Sequence, residues 1–264
     1  MSGGAPASDF NYLYFLTGNG SFDANSGGTN YGDSTIKLSL SSSPSVIDYF
    51  TPSDQDALYG GDIDHGSGGA AILVDQPSGP VRHLLIGGGK RGTLFLINRD
   101  NMGHYNGPTG PNNVVQSLSL GNAIFATSAF WNNSLYIAGV YGHLAQFSFN
   151  TTTGLFGSSP AHSSSATFGF PGSTPSVSSV GSSANGIVWA LDNSQYCTEQ
   201  SPGCGPTVLH AYDASNVGTE LWNSTQVSGN GAGNAVKFTV PTVANGKVYV
   251  PTRTELTVYG LLPN

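Results

Sequence analysis

One phrase recurs along this chain and restricts its folding more than any other feature. A turn-forming pair leads into a short apolar run that carries an aromatic residue, and Gly, Asn or Asp follows. It stands as NYLYFLTGN (11–19), RGTLFLINR (91–99), NSLYIAGV (133–140), NGIVWALDN (185–193) and NGKVYVPTR (245–253). Short runs of this kind, bounded by Gly and Asn, are strands. Most have a second strand behind them, as in HLAQFSFN (143–150), VLHAYDAS (208–215) and ELTVYGLL (255–262), and helical periodicity is nearly absent. The later phrases lie roughly forty to sixty residues apart, a period filled by four short strands, which is the signature of a β-propeller blade.

The expected fold is therefore all-β, a β-propeller of four-stranded antiparallel blades. About five blade units are expected, over 4–52, 66–120, 121–165, 170–230 and 235–264, with the first and last incomplete. Propellers hide their sheet edges by completing one blade from both termini. Either the termini or a partner chain close the ring here, or the chain is an arc with open edges that pair with another copy. The connections HYNGPTGPNN (104–113) and NSTQVSGNGAGN (223–234) read as surface loops, so the expectation is one domain over 1–264. Tyr14, Phe95, Tyr136, Trp189 and Tyr249 fall in register in the repeat and are the expected blade core.

Charged residues make up only 9% of the chain, while Gly and Pro fill 37 and 15 positions. The 38% hydrophobic content and the 13 Phe, 12 Tyr and 3 Trp favour a folded β protein over a disordered one. The net charge is −7, and the eight Lys and Arg are scattered, which excludes the electrostatic footprint of a nucleic-acid binder. No run of eighteen apolar residues predicts a membrane span, and MSGGAPASDF has no signal-peptide pattern. Cys197 and Cys204, in a Gly/Pro-rich loop, are expected to form a disulfide, in keeping with an exported protein. The sequons at Asn132, Asn150 and Asn223 have meaning only in a eukaryotic secretory host, and an Asn-, Ser- and Thr-rich chain produces them by chance.

The densest acidic stretch is DYFTPSDQDALYGGDIDHGSGG (48–69), which holds five of the fifteen carboxylates. Asp62 and Asp64 share a face if the segment is extended, as a base and metal-ligand pair would; alternatively they shape tight turns by accepting backbone N–H bonds. His65 is a candidate proton carrier or ligand, or an incidental loop residue. Asn19 either binds a ligand or is a left-handed turn residue ahead of Gly20. Lys90 and Arg91 either bind an anion or balance the acidic loop. GGGKRG lacks the Ser or Thr and the following helix of a phosphate loop. Asp23, Asn25 and Asp33 could be organised by calcium, although their spacing fits no EF-hand. His83, His104, His143, His162 and His210 show no paired zinc-ligand spacing, and no Gly-x-Ser-x-Gly elbow is present.

In order along the chain, TGNG, YFTP, D-x-D-x-GSGG and GKRGTLFLINRDN resemble the segments of quinoprotein alcohol dehydrogenase-like propellers. The closest likeness is to the divergent PQQ-like repeat proteins of bacteria, and the chain is similar to a C-terminal portion of such a propeller. The resemblance implies a fold that can bind pyrroloquinoline quinone and calcium. It makes Asn19 and Asp62 calcium ligands, Asp62 also the base toward an alcohol proton, and Lys90, with Arg91 beside it, the contact to the quinone. The family's adjacent Cys-Cys pair has no counterpart here, and Gly61 stands where a Trp precedes the Asp. Two functions follow as expectations. The first is a ligand- or partner-binding propeller without a complete quinone site, taking a small molecule or carbohydrate. The second is an enzyme: a calcium-dependent quinoprotein dehydrogenase of alcohols or sugars, or a hydrolase centred on Asp62, Asp64 and His65. The resemblance also implies a periplasmic or extracellular location.

Overall fold

In the computed structural model, which describes residues 4–181, 185–198 and 203–260, the recurring phrases are strands. Five antiparallel sheets follow one another along the chain. Sheet one is β1 (Ala7–Ser8), β2 (Tyr12–Leu16), β3 (Thr35–Ser39) and β4 (Val46–Phe50); sheet two is β5 (Ala70–Ile72), β6 (Leu84–Gly88), β7 (Thr93–Asn98) and β8 (Gln116–Ser119). Sheet three comprises β9 (Ala129–Trp131), β10 (Ser134–Ile137), β11 (Gly142–Asn150) and β12 (Leu155–Phe156), with β13 (His162–Phe168) added to β11. Sheet four is β14 (Ser176–Ser178), β15 (Ile187–Asp192), β16 (Val208–Asp213) and β17 (Glu220–Asn223). Sheet five has three described strands, β18 (Thr242–Ala244), β19 (Lys247–Pro251) and β20 (Leu256–Gly260). Apart from β13, which pairs with β11 past β12, each sheet pairs sequence neighbours, the meander of a propeller blade.

The turn pairs ahead of the phrases act as hairpin loops. Asn245 and Gly246 lie at φ 51° and 71° between the paired residues Ala244 and Lys247, and Asn132 and Asn133 lie at 46° and 57° between Trp131 and Ser134. Two left-handed residues in succession match the twist of a hairpin, and Asn and Gly tolerate that conformation.

The chain divides into two compact units, Met1–Thr127 with Phe149–Ser159, and Ser128–Ser148 with Pro160–Asn264. In the first, β1 lies beside β5, and Tyr14, Phe50, Leu85, Phe95, Ile97 and Met102 fill the space between sheets one and two. In the second, β14 lies beside both β9 and β18. One core there joins sheets three and four through Tyr136, Leu144, Phe168, Val188 and Tyr212, and another joins sheets four and five through Leu191, Leu209, Val248 and Val250. Within each unit the leading strands thus neighbour one another, as blades do around a propeller axis.

Of the aromatics predicted to form the core, Tyr14, Phe95 and Tyr136 are buried. Trp189 is half-buried against the Leu191–Leu209 core, and Tyr249 is half-buried on sheet five. Cys197 and Cys204 form the expected disulfide, with Cα atoms 4.7 Å apart. Among the described residues, no helix is long and apolar enough to cross a membrane. An unpredicted α-helix, α1 (Gln55–Gly60), stands inside the acidic stretch and turns the chain toward the candidate site.

Candidate functional site

Three chain segments of the first unit converge on Asp64. Beyond β2, Thr17–Asn19 is held by hydrogen bonds from Thr17 N to Ser34 O and from Asp33 N to Gly18 O. After α1, Asp62 takes a left-handed φ of 54°, so the Asp62–Asp64 segment is not the extended one that a shared face would require. Beyond β6, the turn at Gly89–Gly92 brings Lys90 N within 3.0 Å of Asp64 O. Two glycines permit this approach. A Cβ on Gly18 would lie 2.6 Å from Asp64 Oδ1, and one on Gly89 would lie 2.2 and 2.3 Å from the carbonyl oxygens of Asp64 and His65.

Asn19, Asp62, Asp64 and Lys90 meet, although they come from three loops. Asp64 Oδ1 accepts the Asn19 backbone N–H at 2.9 Å, and its Oδ2 lies 2.5 Å from Lys90 Nζ. Burial pushes the Asp64 carboxyl up, but the Asn19 amide and the Lys90 ammonium together outweigh it and hold the group below the usual carboxylate range. Asp62 projects into solvent and accepts from Asn19 Nδ2 at 3.1 Å. Lys90 Nζ also reaches Asp62 Oδ2 at 3.3 Å and Asp62 O at 2.8 Å, so both residues supply it with acceptors. The Asp64 hydrogen bond, above all, raises the Lys90 pKa further, and the ammonium stays charged. Asn19 Oδ1 is buried with no hydrogen-bond partner among the described residues.

His65 does not join this cluster. Its side chain turns into the core between Phe50 and Phe95, with ring centroids 6.3 and 5.7 Å away, and the residue is 3% exposed. Its Nε2 bonds Thr35 Oγ1 at 2.8 Å, and burial lowers its pKa to about 3, so the imidazole is neutral. Arg91 also turns away and pairs with Asp54. A cleft of about 300 Å³ runs beside this pair, bordered by Leu58, His65, Phe95, Asn112 and Ser117.

Asp33 is the residue whose importance its local sequence conceals. It is fully buried, its Oδ1 accepts the His65 backbone N–H at 3.0 Å, and burial raises its pKa to about 6. It does not share a loop site with Asp23, which instead bonds Asn30 through both its backbone N–H and its amide. The remaining histidines are separately placed: His83 pairs with Asp75 and Asp100, His104 with Asp48, and His210 with Glu220. Among the described residues no group of three or more His, Cys, Asp or Glu is arranged to hold a metal ion.

No protein-family model matches the chain, and no curated protein matches its sequence. Among solved structures, the crystal structure of BamB from Moraxella catarrhalis is similar over 97% of this chain at 12% identity, with a TM-score of 0.49. The chain spans 57% of the length of that one.

Proposed function

We propose that the chain is a binding protein on propeller-like blades, in which Asp62, Asp64 and Lys90 form a closed clasp and not an acid–base centre. The observation that carries this reading is the position of the Lys90 ammonium, 2.5 Å from Asp64 Oδ2 and within hydrogen-bonding reach of Asp62. The oxygens around it, from Asp62 and Asp64, are of the type calcium prefers. A cation already stands among them, however, and calcium and an ammonium compete for the same carboxylates. A lysine that polarises a quinone carbonyl needs free N–H groups, whereas this one is engaged by three oxygens of Asp62 and Asp64. The residues as arranged therefore fit neither calcium nor the quinone.

Asp64, held ionised by its partners, is also a poor base, since a useful one has a pKa near the working pH. The cleft beside Arg91 and Asp54 is the place for a small polar ligand, with Phe95 and Leu58 supplying apolar wall. A location outside the cytoplasm is supported by the Cys197–Cys204 disulfide, which persists in oxidising compartments.

The test compares the wild type with Lys90→Met, which removes the ammonium and keeps an unbranched side chain one atom shorter. Millimolar calcium should leave the wild-type Tm unchanged and raise that of Lys90→Met by a few degrees, because the freed oxygens then bind the ion. Added quinone should give no dye-coupled alcohol oxidation. A stoichiometric quinone complex that oxidises an alcohol overturns the proposal. So does a hydrolase activity that Asp62→Asn abolishes at unchanged Tm.

A further inference from the structure

A second crevice in the first unit, of about 580 Å³, lies at the ends of β2, β6 and β7 opposite those that lead to Asn19 and Lys90. Its floor holds two buried cations. Lys37 is 9% exposed, donates to Arg99 O at 2.7 Å and stands 4.3 Å over the Tyr12 ring. Arg99 is 5% exposed and pairs with Asp9 at 2.5 Å and Asp75 at 3.4 Å, yet its buried Nε has no acceptor among the described residues. A buried N–H left without an acceptor is costly, so Arg99 is held in the floor by its ion pairs to Asp9 and Asp75, which place polar groups of both signs along the crevice.

The rim adds a second, independent observation. Phe10 is 98% exposed and has a left-handed φ of 71°. A large L-residue rarely adopts that conformation, and here no burial of the ring offsets the cost. Phe10 is among the residues that border the crevice, so its exposed ring is available to a molecule bound there.

The charge balance narrows the ligand. Lys37 and Arg99 supply two positive charges, and Asp9, Asp75 and Asp100 supply three negative ones, so the lining is not electropositive and does not favour an anion. What it offers is interleaved donors and acceptors beside an exposed aromatic face. Sugar hydroxyls each donate and accept, and the C–H face of a sugar ring packs on an aromatic ring, so one class of molecule satisfies both features. We propose that this crevice binds a neutral oligosaccharide, with Phe10 as the stacking platform and Arg99 and Asp75 as the polar anchors. The inference does not rest on the clasp reading of Asp62, Asp64 and Lys90.

The experiment is saturation-transfer NMR and calorimetry on the full chain with neutral cello-, malto-, laminari- and chito-oligosaccharides, and with an oligogalacturonate as the acidic arm. At about 10 mM sugar, which detects even millimolar affinity, at least one neutral oligomer should bind. Phe10→Ala should weaken that binding about tenfold at unchanged Tm, because the ring packs on nothing. Asp75→Asn should also weaken it, and Asp62→Asn should leave it unchanged. Binding by no neutral oligomer overturns the proposal, as does tighter binding of the acidic one, or wild-type affinity in both Phe10→Ala and Asp75→Asn. Loss of binding in Asp62→Asn would move the site away from this crevice.

Discussion

Asp33 and His65 are joined by one hydrogen bond and respond to pH in opposite directions. Burial raises Asp33 from 3.8 to about 6, so between those values the folded chain holds a proton that the unfolded chain has lost. Its contribution is complete below pH 3.8 and fades as pH rises through 6. Burial lowers His65 from 6.5 to about 3, so over that range the unfolded chain holds the extra proton. Its contribution is complete above pH 6.5 and is lost as pH falls. Across the shared window the two cancel, and from these two groups stability should be nearly flat between about pH 4 and 6, then drop more steeply below. Asp33→Asn should expose the histidine's slope, about 1.4 kcal/mol lost per pH unit toward acid. His65→Gln should reverse the sign, with stability rising as pH falls from 6 toward 4. Urea titrations at successive pH values check all three curves, and parallel curves would sink the assignment. Neither residue was legible as a buried partner in the sequence. Asp33 stands among Gly, Asn and Ser, and His65 ahead of a Gly-rich turn; their burial comes from segments some thirty residues apart.

At the scale of elements, the strands of the recurring phrases were legible because each carries its own evidence: an apolar run, an aromatic, and a turn pair ahead of it; short strands such as β1, β8 and β14 carry no such signal and were not. The disulfide was legible for the same local reason. Helix α1 was not, since six residues in an acidic loop give no helical period to detect. The convergence of Asn19, Asp62, Asp64 and Lys90 was legible only through the ordered phrases, whereas the ammonium's position between the two Asp residues follows from the close approach of three loops. That approach depends on Gly89, whose added Cβ would meet two backbone carbonyls, neither of which can swing aside. Gly89→Ala should therefore cost about 2–4 kcal/mol and loosen the Lys90 contact to Asp64. Gly60→Ala, at the end of α1 with nothing within 4 Å of its Cβ, is the matched control. It should be neutral or stabilising by up to about 1 kcal/mol. Equal effects from the two substitutions, read from denaturant midpoints, would mean that close packing at Gly89 does not position the clasp.

For the whole molecule, the consequence of stacked sheets is that each apolar face needs a cover, and among the described residues one face of sheet five has none. Its Tyr259 packs edge-on against Trp222 of sheet four, with ring centroids 5.5 Å apart. On the opposite face, Leu256 and Val258 are 57% and 46% exposed, and their cross-strand partners are Pro251 and Tyr249. The period-2 alternation of β20 places these four residues on one side, so they form a contiguous apolar patch rather than scattered surface residues. Among the described residues no strand pairs with the outer edge of β20 either. An uncovered face beside an unpaired edge favours self-association, through either sheet packing or strand addition. The two routes can be separated. Replacing both Leu256 and Val258 with Lys removes the apolar patch and leaves the β20 backbone free to pair, and exposure on this side keeps the change in Tm small. Sedimentation velocity over a range of concentrations should show association of the wild type and a monomer for the double variant if the face is responsible. Association that persists in the double variant assigns it to the strand edge. A wild type that stays monomeric throughout would mean that the patch is too small to drive assembly.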